Sequence, residues 1–110
     1  MPNIIAQGTN ITGDIHSEGD FRIEGTIVGK IDAKGRIVVG ESGNVDGEIT
    51  CGDADICGKV VGKLVVANLT VFKATAIFSG DVETKKLSIE PGAAFTGTCK
   101  MGTDDDIKNK

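Results

Sequence analysis

One pattern constrains this chain more than any other: an apolar residue, a spacer, a glycine, a spacer and a second apolar residue, six times over. The copies are Ile11-Thr-Gly13-Asp-Ile15, Ile27-Val-Gly29-Lys-Ile31, Val45-Asp-Gly47-Glu-Ile49, Val60-Val-Gly62-Lys-Leu64, Phe78-Ser-Gly80-Asp-Val82 and Phe95-Thr-Gly97-Thr-Cys99. Successive glycines stand 16, 18, 15, 18 and 17 residues apart. Recurrence at this period marks a chain built from stacked units, and the varying spacing excludes a strict six-residue repeat.

A gentler alternation lies between the copies: Phe21 with Ile23, Ile37 with Val39, Ala54 with Ile56, Leu69 with Val71, and Leu87 with Ile89. Period-two patterning sets these residues on one side of a strand and Thr, Asp, Lys, Arg and Glu on the other. Each unit therefore holds two or three short strands, and no stretch has a comparable helical period. Gly25, Gly40, Gly43, Gly58 and Gly92 fall between strands and are expected at corners, where glycine takes a positive φ at little cost.

A unit of this size cannot bury its own apolar face, so the units must stack in register, each strand pairing with its equivalent in the next. The expected fold is all-β, a single-domain parallel β-helix of six coils over 9–101, with a short leading tail at 1–8 and a polar tail at 102–110. Only 4% of the residues are aromatic against 39% hydrophobic, so its core must be aliphatic. Six coils at roughly 4.8 Å each make a rod about 29 Å long. The end coils lack a neighbour, which makes Ile11, Ile15 and Phe21 at one end and Leu87, Ile89, Phe95 and Met101 at the other the candidate polymer contacts. Gly13, Gly29, Gly47, Gly62, Gly80 and Gly97 are the structural glycines of the repeat.

Charge and motifs offer little chemistry. A net charge of −4 gives no basic field for nucleic acid. Cys51, Cys57 and Cys99 cannot all pair and lack zinc-knuckle spacing, so reduced thiols in a cytoplasmic protein are expected, with Cys51 and Cys99 as small core residues and Cys57 more exposed. No run approaches the length of about 20 apolar residues that spans a bilayer. His16, the only histidine, could serve as the base of a hexapeptide-type acyltransferase, but reads as a surface residue of the first coil. Gly58-Lys-Val-Val-Gly-Lys63 imitates a phosphate loop, one residue short and without the following Ser or Thr or a helix. Asp104, Asp105 and Asp106 read as a solvated run, not a cation loop. Asn10-Ile-Thr12 and Asn68-Leu-Thr70 match a glycosylation sequon that a cytoplasmic chain never presents to the machinery. No catalytic, metal or cofactor residue is expected, and no small-molecule substrate.

The stretch Ser17-Glu-Gly-Asp-Phe-Arg-Ile-Glu-Gly25, the turn Gly40-Glu-Ser-Gly43 and the ending from Leu87 through Glu90-Pro-Gly92 and Phe95 to Met101 together resemble the bactofilins, over roughly residues 4–101. That resemblance implies a right-handed β-helix that joins end to end into non-polar filaments without nucleotide. It implies a bacterial cytoskeletal scaffold for cell shape or for localising other proteins, its main partner being itself, with the cytoplasmic face of the inner membrane and cell-wall-related proteins as further candidates. The family's leading tail often touches the membrane, and residues 1–6 read either as a remnant of it or as the start of a trimmed chain with Met1 added. Two other classes compete: the acyltransferase, which needs a cleft and a protruding loop, and a monomeric solenoid binding module, which needs polar caps at both ends.

Overall fold

A computed structural model describes the backbone of residues 3–101 and the side chains of 4–100. Ten strands run in chain order: β1 (Asn3–Ile5), β2 (Asn10–Ser17), β3 (Phe21–Ile23), β4 (Thr26–Ala33), β5 (Arg36–Val39), β6 (Asn44–Cys51), β7 (Asp53–Ile56), β8 (Lys59–Phe72), β9 (Ile77–Ile89) and β10 (Ala94–Met101). Every pairing among them is parallel. The short strands pair β1 to β3 to β5 to β7 and then to the end of β8, while β2, β4, β6, β8, β9 and β10 form a second ladder. The chain is thus a parallel β-solenoid of six coils, each a short strand followed by a long one that carries the repeat glycine.

Stacking aligns equivalent side chains in columns along the axis. One column is Ile11, Ile27, Val45, Val60, Phe78 and Phe95, and another is Ile15, Ile31, Ile49, Leu64, Val82 and Cys99. Interior members such as Ile27, Val45, Ile49 and Leu64 have no accessible surface. Each is worth about 1.5–3 kcal/mol of burial, and that value is reached only with a coil on both sides.

The repeat glycines form the sharpest feature of the backbone. Gly13, Gly29, Gly47, Gly62, Gly80 and Gly97 are in register, with φ between +125° and +140°. A single residue there breaks the extended conformation and turns the long strand onto a new face. From Gly29 onward, a methyl group on any of them would collide with the carbonyl of the repeat glycine one coil below. The expected corner glycines behave differently: of the five, only Gly92 has positive φ. Gly25, Gly43 and Gly58 are required for space instead, since a methyl on each would strike carbonyl oxygens of the preceding coil, whereas at Gly40 it would meet only the Glu24 carboxylate, the end of a flexible side chain that can move aside.

Three expectations need correction. The leading tail is shorter than 1–8, because Asn3–Ile5 is the short strand of the first coil and pairs with Phe21–Ile23. That strand covers Phe21, which is 5% exposed and so belongs to the core, not to an end. Leu69 and Val71 do not point inward. A register irregularity between Val66 and Leu69 shifts the pairing so that Ala54 meets Thr70 and Ile56 meets Phe72, and a one-residue slip exchanges the two faces of a strand. The slip brings Phe72 into contact with Phe78 and Phe95, at the expense of burying Thr70, whose hydroxyl has no hydrogen-bond partner. The third is Cys99, which stands in an inward column but on the last described coil, and is exposed. Cys51 is buried as expected, and desolvation, with the nearby Asp53 charge, pushes its thiol up to about 12. Cys57 is half-buried, its thiol raised mainly by desolvation.

Candidate functional site: the uncovered ends of the solenoid

Among the described residues the core columns run out at both ends without a cap. At the amino-terminal end, Ile5, Ile11 and Ile15 are the last inward side chains of β1 and β2, and each is only half-buried where the equivalents one coil up are buried. At the carboxy-terminal end Leu87 and Phe95 are half-buried, and Ile89 is 46% exposed. Among the described residues each end also leaves the strand edges of one coil without a partner strand: β1 and β2 at one, the end of β9 and β10 at the other. Unpaired strand edges beside apolar side chains are a template for another chain.

The carboxy-terminal end is the aromatic one. Phe95 stacks on Phe78 with ring centroids 5.2 Å apart, and meets Phe72 edge-on at 5.7 Å. Three of the four phenylalanines thus cluster around the last two coils, a concentration that the repeat alone did not reveal because the Phe72 register was misread. Of the seven predicted contact residues, Ile11 and Ile15 share the first end and Leu87, Ile89 and Phe95 the second. Phe21 lies inside, and the side chain of Met101 lies outside the described residues. Ile5 was missed, having been assigned to the tail.

The chemical candidates stay apart. His16 is exposed, with Nε2 3.0 Å from Glu18 and Nδ1 3.5 Å from Asp32. Glu18 is held below the usual carboxylate range by the His16 hydrogen bond and by the Lys34 charge. Residues 59–63 of the apparent phosphate loop are strand, with no helix to follow. Among the described residues no group of His, Cys, Asp and Glu is arranged to hold a metal ion, and no connection between strands exceeds four residues. No described helix is long and apolar enough to cross a membrane. Asp104–Asp106 lie outside the described residues.

An all-parallel solenoid whose described residues leave apolar side chains open at both ends has the architecture of an assembling structural protein. The family model for bactofilins, described as polymer-forming cytoskeletal proteins, matches residues 3–100, and the chain belongs to that family. It is 32% identical over 98 residues to bactofilin BacO of Myxococcus xanthus, covering 89% of this chain and 78% of that protein. Its fold matches the chain in a cryo-EM reconstruction of Thermus thermophilus bactofilin double helical filaments, at a TM-score of 0.84 and 27% identity, over 91% of this chain and 99% of the other.

Proposed function

We propose that this protein is a cytoskeletal scaffold whose subunits join end to end, like end against like end, into non-polar filaments that need no nucleotide. The observation that carries the reading is the pair of uncapped ends: Ile5, Ile11 and Ile15 at one, Leu87, Ile89 and Phe95 at the other. Burying them against a second copy completes the columns and pairs the free strand edges. A two-fold contact at each end gives a chain of alternating junctions with no overall direction. The family's polymer-forming character and the filaments of the Thermus relative support the same reading. Function in this reading is structural, without catalysis, at the cytoplasmic face of the inner membrane, where the filament shapes the cell or localises other proteins.

The test is negative-stain electron microscopy and sedimentation of the purified protein in nucleotide-free buffer with a chelator. Long filaments are expected. Polymer that forms only on addition of ATP, GTP or a metal ion overturns the reading.

A further inference from the structure

Ion pairs line the flanks of the solenoid, and most of the cations left out of them gather at one corner. Among the described residues, Arg22, Lys30, Lys34, Arg36, Lys63 and Lys73 each lie within 4.0 Å of a carboxylate. The remaining described cations are Lys59 and, at the carboxy-terminal end, Lys85, Lys86 and Lys100. Lys85 and Lys86 turn the chain from the long to the short part of β9. With Asn68 and Leu69 of the turn one coil below, they line a groove of about 280 Å³. The Thr84 hydroxyl ties the two turns together, lying 3.3 Å from the Asn68 carbonyl and 2.8 Å from the Lys86 carbonyl. Leu69, 38% exposed, gives the groove an apolar floor. Ammonium groups beside an exposed leucine suit an acidic segment that also carries an apolar residue.

Such a segment follows in the chain. Met101 pairs with Thr84, so the backbone leaves β10 one strand spacing, about 4.8 Å, from the residue that precedes the two lysines. The next residues are Gly102-Thr-Asp-Asp-Asp-Ile107. Continuing the winding as a further coil is closed to them. Met101 stands in the corner column of Val66 and Thr84, and the inward residues of the following short strand are Thr70 and Phe72 after Val66, Leu87 and Ile89 after Thr84. The same two spacings counted from Met101 fall on Asp105 and Ile107, or on Asp104 and Asp106. Either way a carboxylate would be laid on Leu87 with no partner, a costly burial. The lysine corner offers these aspartates opposite charge instead. Asp104 is three residues past Met101, at most about 10 Å of extended chain, and Ile107 is six past it, at most about 20 Å.

We infer that residues 104–107 fold back onto this corner of their own chain, with Asp104, Asp105 and Asp106 against Lys85 and Lys86 and Ile107 toward Leu69. Exposed ion pairs contribute little singly. Here several form together, and the short tether from Met101 holds the partners at high effective concentration. A run that reads as solvated in the sequence thus has its partner within the chain. The contact draws the aspartates off Leu87, Ile89 and Phe95 and leaves that end open to a second copy. This consequence rests on the end-to-end polymer, whereas the docking itself does not.

The experiment is zero-length cross-linking with a water-soluble carbodiimide, which joins carboxylates to amines in contact. It is run on an equal mixture of unlabelled and heavy-isotope-labelled chains and read by mass spectrometry of the peptides. At low salt the aspartates are expected to join Lys85 or Lys86 within one chain, and the product should disappear in about 1 M salt, where the screening length is about 3 Å. Lys59, equally without an ion pair but at another corner, should stay unlinked. Asp104→Lys/Asp105→Lys/Asp106→Lys combined with Lys85→Glu/Lys86→Glu exchanges the charges and should form the link again. Linking to Lys59 as often as to Lys85 and Lys86, no link in the charge-exchanged protein, or links that join labelled to unlabelled chains at random overturns the docking. The cross-link reads out in single subunits and in polymer alike, so the docking and the end contacts fail separately.

Discussion

Phe78 and Phe95 stack in adjacent coils at 5.2 Å, yet Phe78 is 1% exposed and Phe95 only half-buried. The two rings do the same packing within one column and differ only in whether another coil follows. On the end-to-end reading proposed above, that difference separates a residue that holds the fold from one that joins subunits. Phe95→Arg would set two arginines against each other across a two-fold end contact, and a buried like-charge pair is not tolerated. The variant is expected to keep its β-sheet circular dichroism and to remain a small species by light scattering. Long polymer from it removes this end from the interface, whereas loss of the β signal makes Phe95 a core residue.

Ile49 is the mid-solenoid contrast, with Ile31 below it, Leu64 above and no accessible surface. Ile49→Asp buries a carboxylate with no partner, at a cost of several kcal/mol, a large share of the about 5–15 kcal/mol that stabilises a small domain. The expected outcome is failure to fold, seen as loss of the cooperative thermal transition. An unchanged transition would mean that Ile49 does not face the core.

Repeats of this kind write most of the fold into the sequence. Ile27, Gly29 and Ile31 identify a coil because the same three positions recur, and the spacing-of-two alternation between the copies, as in Phe21 with Ile23, fits a strand and not a helix. What escaped was whatever depends on neighbours in the stack. Leu69 and Val71 alternate as well as Thr70 and Phe72 do, and only the packing of Phe72 on Phe78 and Phe95 decides between them. Phe21 resembled an end residue until Asn3–Ile5 was seen to pair over it. That Phe95 lies on the last coil was legible because it opens the last repeat.

The thiols predict an order of reactivity. Attack on a disulfide reagent requires thiolate. Cys99 is exposed, Cys57 half-buried, and Cys51 buried with its titration raised from 9.0 to about 12. In the non-polymerising Phe95→Arg protein at pH 8, Cys99 should react first, Cys57 more slowly and Cys51 only on unfolding. The same shift makes stability depend on pH. Between about 9 and 12 the unfolded chain releases the Cys51 proton while the folded chain keeps it, so stability is complete below pH 9 and declines as pH rises through this window. Cys51→Ala should flatten that decline in denaturant titrations, and an unchanged slope would assign it to other groups.

The repeat glycines separate two costs that usually arrive together. All six have positive φ, a conformation that costs any other residue about 1–3 kcal/mol. Only five have a carbonyl beneath them, because Gly13 is on the first coil and a methyl there would meet nothing within 4 Å. Gly13→Ala should therefore cost the backbone strain alone. Gly62→Ala adds a collision with the Gly47 carbonyl, and since both atoms belong to backbone in a continuous ladder, relief requires the third and fourth coils to separate. Gly97→Ala meets the same obstacle at Gly80, but on the last coil the chain can yield by releasing β10. Thermal denaturation should rank Gly62→Ala as much the most destabilised, with Gly13→Ala lowered by an amount set by strain. Gly97→Ala should keep a folded body while losing polymer, because the coil that carries Phe95 is the one displaced. Equal destabilisation of Gly13→Ala and Gly62→Ala would show that φ, not the stacked carbonyl, is what fixes glycine in this repeat.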